Sequence, residues 1–168
     1  MSERSILEVS PSLADRYGVT DPALQSIETT INGELWFLQT SPEFALKRLL
    51  SLGSGDVYSL AKAFRSDEMG RWHRPEFTML EWYRLGFDHH DLMTEVEQLV
   101  RHCWSDAPAI ERLSHSELFD DILGFDSLCV SESQLVEAAH ALGYSGPLER
   151  DKGWLLDLLW VLAIEPAI

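Results

Sequence analysis

The sequence predicts an α+β fold, an antiparallel sheet with flanking helices, on three observations. Two β-rich runs, Val57 to Phe64 and Phe77 to Tyr83, flank a polar loop that contains Gly70 and closes at Pro75. Apolar residues recur at helical spacing in later segments, as in Leu92 to Cys103. The 168 residues, 45% of them hydrophobic, suffice for one sizeable core, so one domain is the prior.

In chain order, the first helix is expected to have Ser41 as N-cap and Pro42 at its first position, to run to about Leu52, and to stop at Gly53. It lies next to the hairpin in sequence, which places Glu43 near any site there. After the hairpin, Leu92, Met93, Val96, Leu99, Val100 and Cys103 read as the core stripe of a helix, with Glu95 and Glu97 on its other side. A short helix is expected over 116 to 123. Ser131 and Gln134 form a capping-box pattern for a helix ending before Gly143. The last helix, 151 to 164, carries Trp154, Leu155, Leu158, Leu159, Trp160, Val161 and Leu162 around nearly its whole circumference. Packed on one surface it would leave rings exposed, so self-association or insertion into a core is expected.

The hairpin carries the chemistry. A period of two puts Phe77, Met79, Glu81 and Tyr83 on one face of the second strand, mixing rings with a carboxylate. Phe77 could stack a planar base, Glu81 with the Tyr83 hydroxyl could hold an ammonium group, and Arg65, Arg71, His73 and Arg74 could meet phosphate oxygens. The loop exceeds the usual ~2 to 5 residues of a hairpin, and binding is the commonest reason for that. A half-buried hairpin with solvated charges and core rings is the equal alternative.

Residues 64–84, FRSDEMGRWHRPEFTMLEWYR, resemble motif 2 of the lysyl type of class II aminoacyl-tRNA synthetases, in which an FRxE start, a mobile loop and an HxPEFTMxE strand form the ATP site. TSPEFALKRLL, residues 40–50, is similar to the segment preceding motif 2 in that group, and ILEVSP, residues 6–11, to the end of motif 1. The TSPE and MLEWYR variants resemble most the lysyl-tRNA synthetase paralogues that attach (R)-β-lysine to elongation factor P. The resemblance implies that Arg65 contacts the α-phosphate of ATP, that Phe77 stacks on adenine, and that Asp67, His73 and Arg74 belong to the nucleotide site. It also implies that Ser41, Glu43, Glu81 and Tyr83 bind the amino acid, lysine or (R)-β-lysine. Asp67 stands where the family has Glu, and Arg74 where it has Asn, with Glu68 a possible substitute for the first. The implied reaction forms an aminoacyl-adenylate from ATP with Mg²⁺, then transfers the aminoacyl group to a lysine of elongation factor P.

The resemblance covers almost the whole chain but about half of the family's length. Residues 1–84 are expected to be a partial class II catalytic core, and residues 85–168 an acidic helical insertion. No Gly-rich third motif with its triphosphate arginine and metal carboxylates follows residue 84, so the chain alone is expected to be inactive in adenylate formation, each lost contact costing ~3 kcal/mol or more in the transition state. Other readings are a non-catalytic binding module or remnant, and a fragment of a true lysyl-tRNA synthetase. The family is homodimeric, and whether that extends to this chain stays open.

Charge sharpens the partner expectations. Residues 1–84 hold 12 acidic and 9 basic side chains, a balance of −3, whereas 85–168 hold 16 and 4, a balance of −12. The acidic second half repels phosphate backbones and disfavours tRNA. The start of the chain has no signal-peptide pattern, no apolar run reaches the ~20 residues that span a bilayer, and Cys103 and Cys129 suggest neither a disulfide framework nor a zinc site. A cytoplasmic location without membrane contact is therefore expected.

Overall fold

A computed structural model describes residues 4–66, 69–71, 73–148 and 151–168. The chain divides into two compact units, residues 1–96 and 97–168.

The first unit holds two three-stranded sheets. In one, β1 (Leu7–Glu8), β5 (Val57–Phe64) and β6 (Glu76–Tyr83) lie in the order β1-β5-β6. β5 and β6 form the expected hairpin, in antiparallel register from Val57↔Tyr83 to Phe64↔Glu76. The expected antiparallel pairing holds between β5 and β6, and one edge departs from it, because β1 runs parallel to β5, Leu7 opposite Val57. A parallel neighbour needs a long crossover, and here it contains the second sheet and a helix.

That second sheet joins β2 (Ala14–Asp15), β3 (Glu28–Ile31) and β4 (Glu34–Leu38) in the order β2-β4-β3. Asn32 and Gly33, at φ 54° and 80°, make the two-residue turn between β3 and β4. Both residues are left-handed, which matches the twist of the strands they connect.

Helix α1 spans Glu43–Ser51 and packs on β5 and β6, with Leu46 fully buried. Its start corrects the expected cap by one residue: Pro42 is the N-cap, and Ser41 stands outside the helix, its Oγ accepting from the Glu43 N–H at 3.3 Å. Gly53 does end the turn, at φ 82°, donating its N–H to the Leu50 carbonyl at 2.9 Å.

Helix α2 spans His89–Cys103, and its expected core stripe is corrected. Met93, Val96 and Cys103 are exposed, Leu92, Leu99 and Val100 are half-buried, and the buried residue is Glu95. Its carboxylate accepts hydrogen bonds from Arg4 Nη1 and Trp82 Nε1, each at 3.0 Å, and pairs with Arg84 Nε at 3.5 Å. Arg84 also reaches Asp56 at 3.0 Å. Charge compensation lets an ionised group replace an apolar one under β6.

The second unit is helical: α3 (His115–Leu123), α4 (Glu132–Ala141) and α5 (Lys152–Leu159), followed by a π-helical stretch, Trp160–Ile164, and a 3-10 turn, Glu165–Ala167. Its core joins Phe119, Leu135, Ala139, Leu155, Leu159 and Ile164, each side chain worth up to about 1.5–3 kcal/mol of burial where it is large. The capping box at Ser131 and Gln134 forms as expected. The terminal helix inserts into this core, and its Trp154 and Trp160 rings are half-buried rather than exposed. Trp160 stacks on His115 with 5.4 Å between centroids, and Trp154 meets Tyr144 edge-on at 6.3 Å. Val161 and Leu162 are what remain exposed. Among the described residues no helix is long and apolar enough to cross a membrane.

Candidate nucleotide and amino-acid site

The strand register decides which side chains meet. Ala63 is opposite Phe77, Ala61 opposite Met79, Ser59 opposite Glu81 and Val57 opposite Tyr83, so these eight share one face of the hairpin. β5 contributes only small side chains to it. Val57, Ser59 and Ala63 are fully buried while Phe77, Met79, Glu81 and Tyr83 are half-buried, so this is the covered face of the hairpin, and α1 packs on both of its strands.

At the loop end Arg65 follows directly on β5. Its N–H donates to the Pro75 carbonyl at 3.0 Å and closes the neck of the loop. Its guanidinium lies 5.2 Å from the Phe77 ring centroid, and its Nε donates to the Thr40 carbonyl at 3.4 Å. The cation expected at phosphate and the ring expected at a base are thus neighbours, and Arg65 is tied to the segment that carries Ser41. Arg71, His73 and Arg74 are exposed in the loop, where the Gly70 N–H donates to the His73 carbonyl at 3.3 Å. Asp67 and Glu68 lie outside the described residues.

Four residues further along β6, ~13 Å at the usual ~3.3 Å rise, stands the acidic end. The Tyr83 hydroxyl donates to Glu81 Oε1 at 2.9 Å. Burial pushes the Glu81 carboxyl up in pKa; the Tyr83 hydrogen bond opposes this, Glu43 adds to it and Lys47 opposes it. Burial, and then the bond it donates to Glu81, push the Tyr83 phenol well above its ordinary value, so it stays a donor. Glu43 on α1 forms an ion pair with Lys47, one turn on, and half-buried Ser41 precedes it.

The structure also brings in residues that the sequence reading did not single out. Gln39 is a joint between the sheets: its N–H donates to the Leu13 carbonyl, its carbonyl accepts from the Phe64 N–H, both at 2.9 Å, and its side-chain amide donates to the Lys62 carbonyl at 2.7 Å. Ser59, fully buried opposite Glu81, has a hydroxyl without a hydrogen-bond partner among the described residues. Lys47 was findable from its i,i+4 spacing to Glu43. Ser59 was findable from strand pairing, but no local signal marks Gln39. Among the described residues no group of three or more His, Cys, Asp or Glu side chains could hold a metal ion; Mg²⁺, which the resemblance implies, needs only one or two carboxylates beside waters and phosphate oxygens.

A ring beside a cation at one end, and a carboxylate bonded to a tyrosine hydroxyl at the other, suit a ligand with a planar base, an anionic middle and an amine. The family tRNA synthetases class II (D, K and N) matches residues 2–140, and the chain belongs to it. Its relatives include proteins named elongation factor P–(R)-β-lysine ligase. It is 44% identical to the one from Vibrio cholerae over 99% of this chain and 54% of that protein, and 45% identical to the one from Pseudoalteromonas translucida over 98% and 53%. The one from Haemophilus influenzae is 39% identical, again over 99% of this chain and 53% of the relative. The chain thus spans about half the length of the curated relatives it matches.

Proposed function

We propose that this chain carries part of the site at which a lysine-type amino acid, (R)-β-lysine by the names of its relatives, is activated with ATP and passed to a lysine of elongation factor P. The carrying observation is the shared hairpin face, with Arg65 against Phe77 at one end and Glu81 with Tyr83 at the other. Phe77 would stack on adenine, and Arg65 would donate to the α-phosphate oxygens, with His73, Arg74 and Asp67 completing the nucleotide side. Glu81, Tyr83, Glu43 and Ser41 would hold the amines, which leaves the substrate carboxylate directed towards the phosphate.

A carboxylate oxygen attacks the α-phosphorus and the bond to pyrophosphate breaks. The acceptor amine nitrogen then attacks the acyl carbon, AMP leaves and the nitrogen loses a proton. The Arg65 fork opposes the charge that gathers on the phosphoryl oxygens, and a fixed substrate pose supplies much of the remainder. Mg²⁺, as the resemblance implies it, would supply charge neutralisation at the phosphates. Residues 1–84 would form this partial core, and 85–168 the acidic helical scaffold.

Exchange of labelled pyrophosphate into ATP, dependent on (R)-β-lysine, tests the chemistry in a form of the protein that exchanges, and nucleotide binding by the chain tests the site. Arg65→Lys keeps the charge and loses the fork, and should weaken ATP binding by about tenfold or more; unchanged binding would remove Arg65 from the reading. In a second reading the chain binds nucleotide and amino acid without chemistry. Binding of both ligands with no exchange by the 168-residue chain is the result that this second reading requires.

A further inference from the structure

We propose that Lys47 is the resident counter-ion of the amino-acid pocket: its ammonium holds the Glu43 carboxylate while no substrate is present, and a substrate amine takes its place. This rests on the amino-acid site proposed above. Helix α1 sets Glu43 and Lys47 one turn apart on the same side, where they form an i,i+4 ion pair. The pair flanks the packed side of α1: Glu43 lies three residues before and Lys47 one residue after Leu46, the fully buried residue of a helix that packs on β5 and β6. In keeping with that placement, after the upward push of burial and the opposing Tyr83 hydrogen bond, Glu43 raises the Glu81 pKa and Lys47 lowers it.

Two carboxylates and one ammonium therefore share one end of the hairpin face. Ionised, they carry one net negative charge. A lysine-type amino acid brings two ammonium groups, one for each carboxylate once Lys47 has moved away, and one carboxylate. One of its amines can pair with Glu81, but the other meets a carboxylate that Lys47 already occupies. Exchange is feasible because the resident pair is weak. The Lys47 and Glu43 side chains are 56% and 44% exposed, and exposed pairs contribute at most about 1 kcal/mol. The flexible four-carbon stem lets the displaced ammonium swing into water.

Selectivity follows from the competition. A diamino acid offsets the displacement of Lys47 with its second amine at Glu81, whereas a monoamino acid must displace Lys47 or leave Glu43 unused. Lys47 then acts as a specificity-determining residue without contacting the reacting atoms.

Titration calorimetry on the full chain at low ionic strength tests this, with (R)-β-lysine and norleucine as probes against wild type, Lys47→Met and Lys47→Arg. Lys47→Met keeps the stem and should bind (R)-β-lysine about two- to fivefold tighter, the fold-change of an exposed pair removed. It should gain more for norleucine, narrowing the discrimination, and high salt should erase both gains. Lys47→Arg should match wild type. An unchanged or weaker affinity in a Lys47→Met protein with wild-type circular dichroism overturns the inference alone, because a merely structural helix pair gives no gain. Absence of (R)-β-lysine binding by the wild-type chain overturns the amino-acid reading, and this inference with it.

Discussion

Replacing Glu95 with Ala removes the centre of the ion cluster beneath β6. Three donors converge on that carboxylate: Arg4 Nη1 and Trp82 Nε1 at 3.0 Å, and Arg84 Nε at 3.5 Å. Arg4, with 41% of its side chain already exposed, contributes little to the cost. Arg84, 12% exposed, keeps Asp56 at 3.0 Å but loses its second counter-charge. The Trp82 N–H loses the acceptor it has, at about 1–3 kcal/mol. Breaking a buried pair by removing one partner costs about 3–5 kcal/mol, and the retained Asp56 contact places Glu95→Ala at the low end, about 3 kcal/mol. Equilibrium urea unfolding followed by tryptophan fluorescence measures this directly. Glu95→Gln, which keeps an acceptor for Trp82 and loses only the charge, should lie between Ala and wild type. A Glu95→Ala change within about 0.5 kcal/mol of wild type would refute the reasoning, since exposed surface substitutions behave that way.

Ser59→Ala should be neutral or stabilising by up to about 1 kcal/mol, because it deletes a buried hydroxyl that has no partner among the described residues; a loss above ~1 kcal/mol in the same unfolding experiment would mean that the hydroxyl is satisfied. Burial, as the leading cause, lifts the Glu81 carboxyl above its ordinary 4.5, so the folded state binds its proton more tightly than the unfolded chain. Its contribution to stability is therefore favourable at low pH and declines as pH rises from the ordinary value through the raised one. Glu81→Gln should flatten that part of the stability–pH curve, and an unchanged slope would contradict the shift. Gly18→Ala would place a Cβ 3.2 Å from Phe37 Cδ1 and 3.3 Å from Ser26 Oγ, and should destabilise by about 1 kcal/mol in thermal unfolding.

The proposed ligand face was legible because its signal is local. A period of two alone puts Phe77, Glu81 and Tyr83 together, and the structure adds the Tyr83–Glu81 hydrogen bond. The β3–β4 hairpin is equally local, written in Asn32-Gly33 between two short strands, but four- and five-residue strands give an alternation too weak to announce it. Ser41 shows how capping chemistry misleads by one position when a proline follows, the hydroxyl turning to the Glu43 N–H from outside the helix. Glu95 was not legible. Its partners Arg4, Trp82 and Arg84 are brought to it only by the fold, so a carboxylate on a helical wheel reads as solvent-facing.

The Gln39 joint has a mechanical consequence. The small sheet supplies none of the side chains proposed to contact either ligand, yet through Gln39 it grips the end of β5 from which Arg65 emerges. It braces the end of the hairpin proposed to take the nucleotide. The backbone next to Arg65 is thus anchored from outside its own sheet: Phe64, the residue before it, donates its N–H to the Gln39 carbonyl.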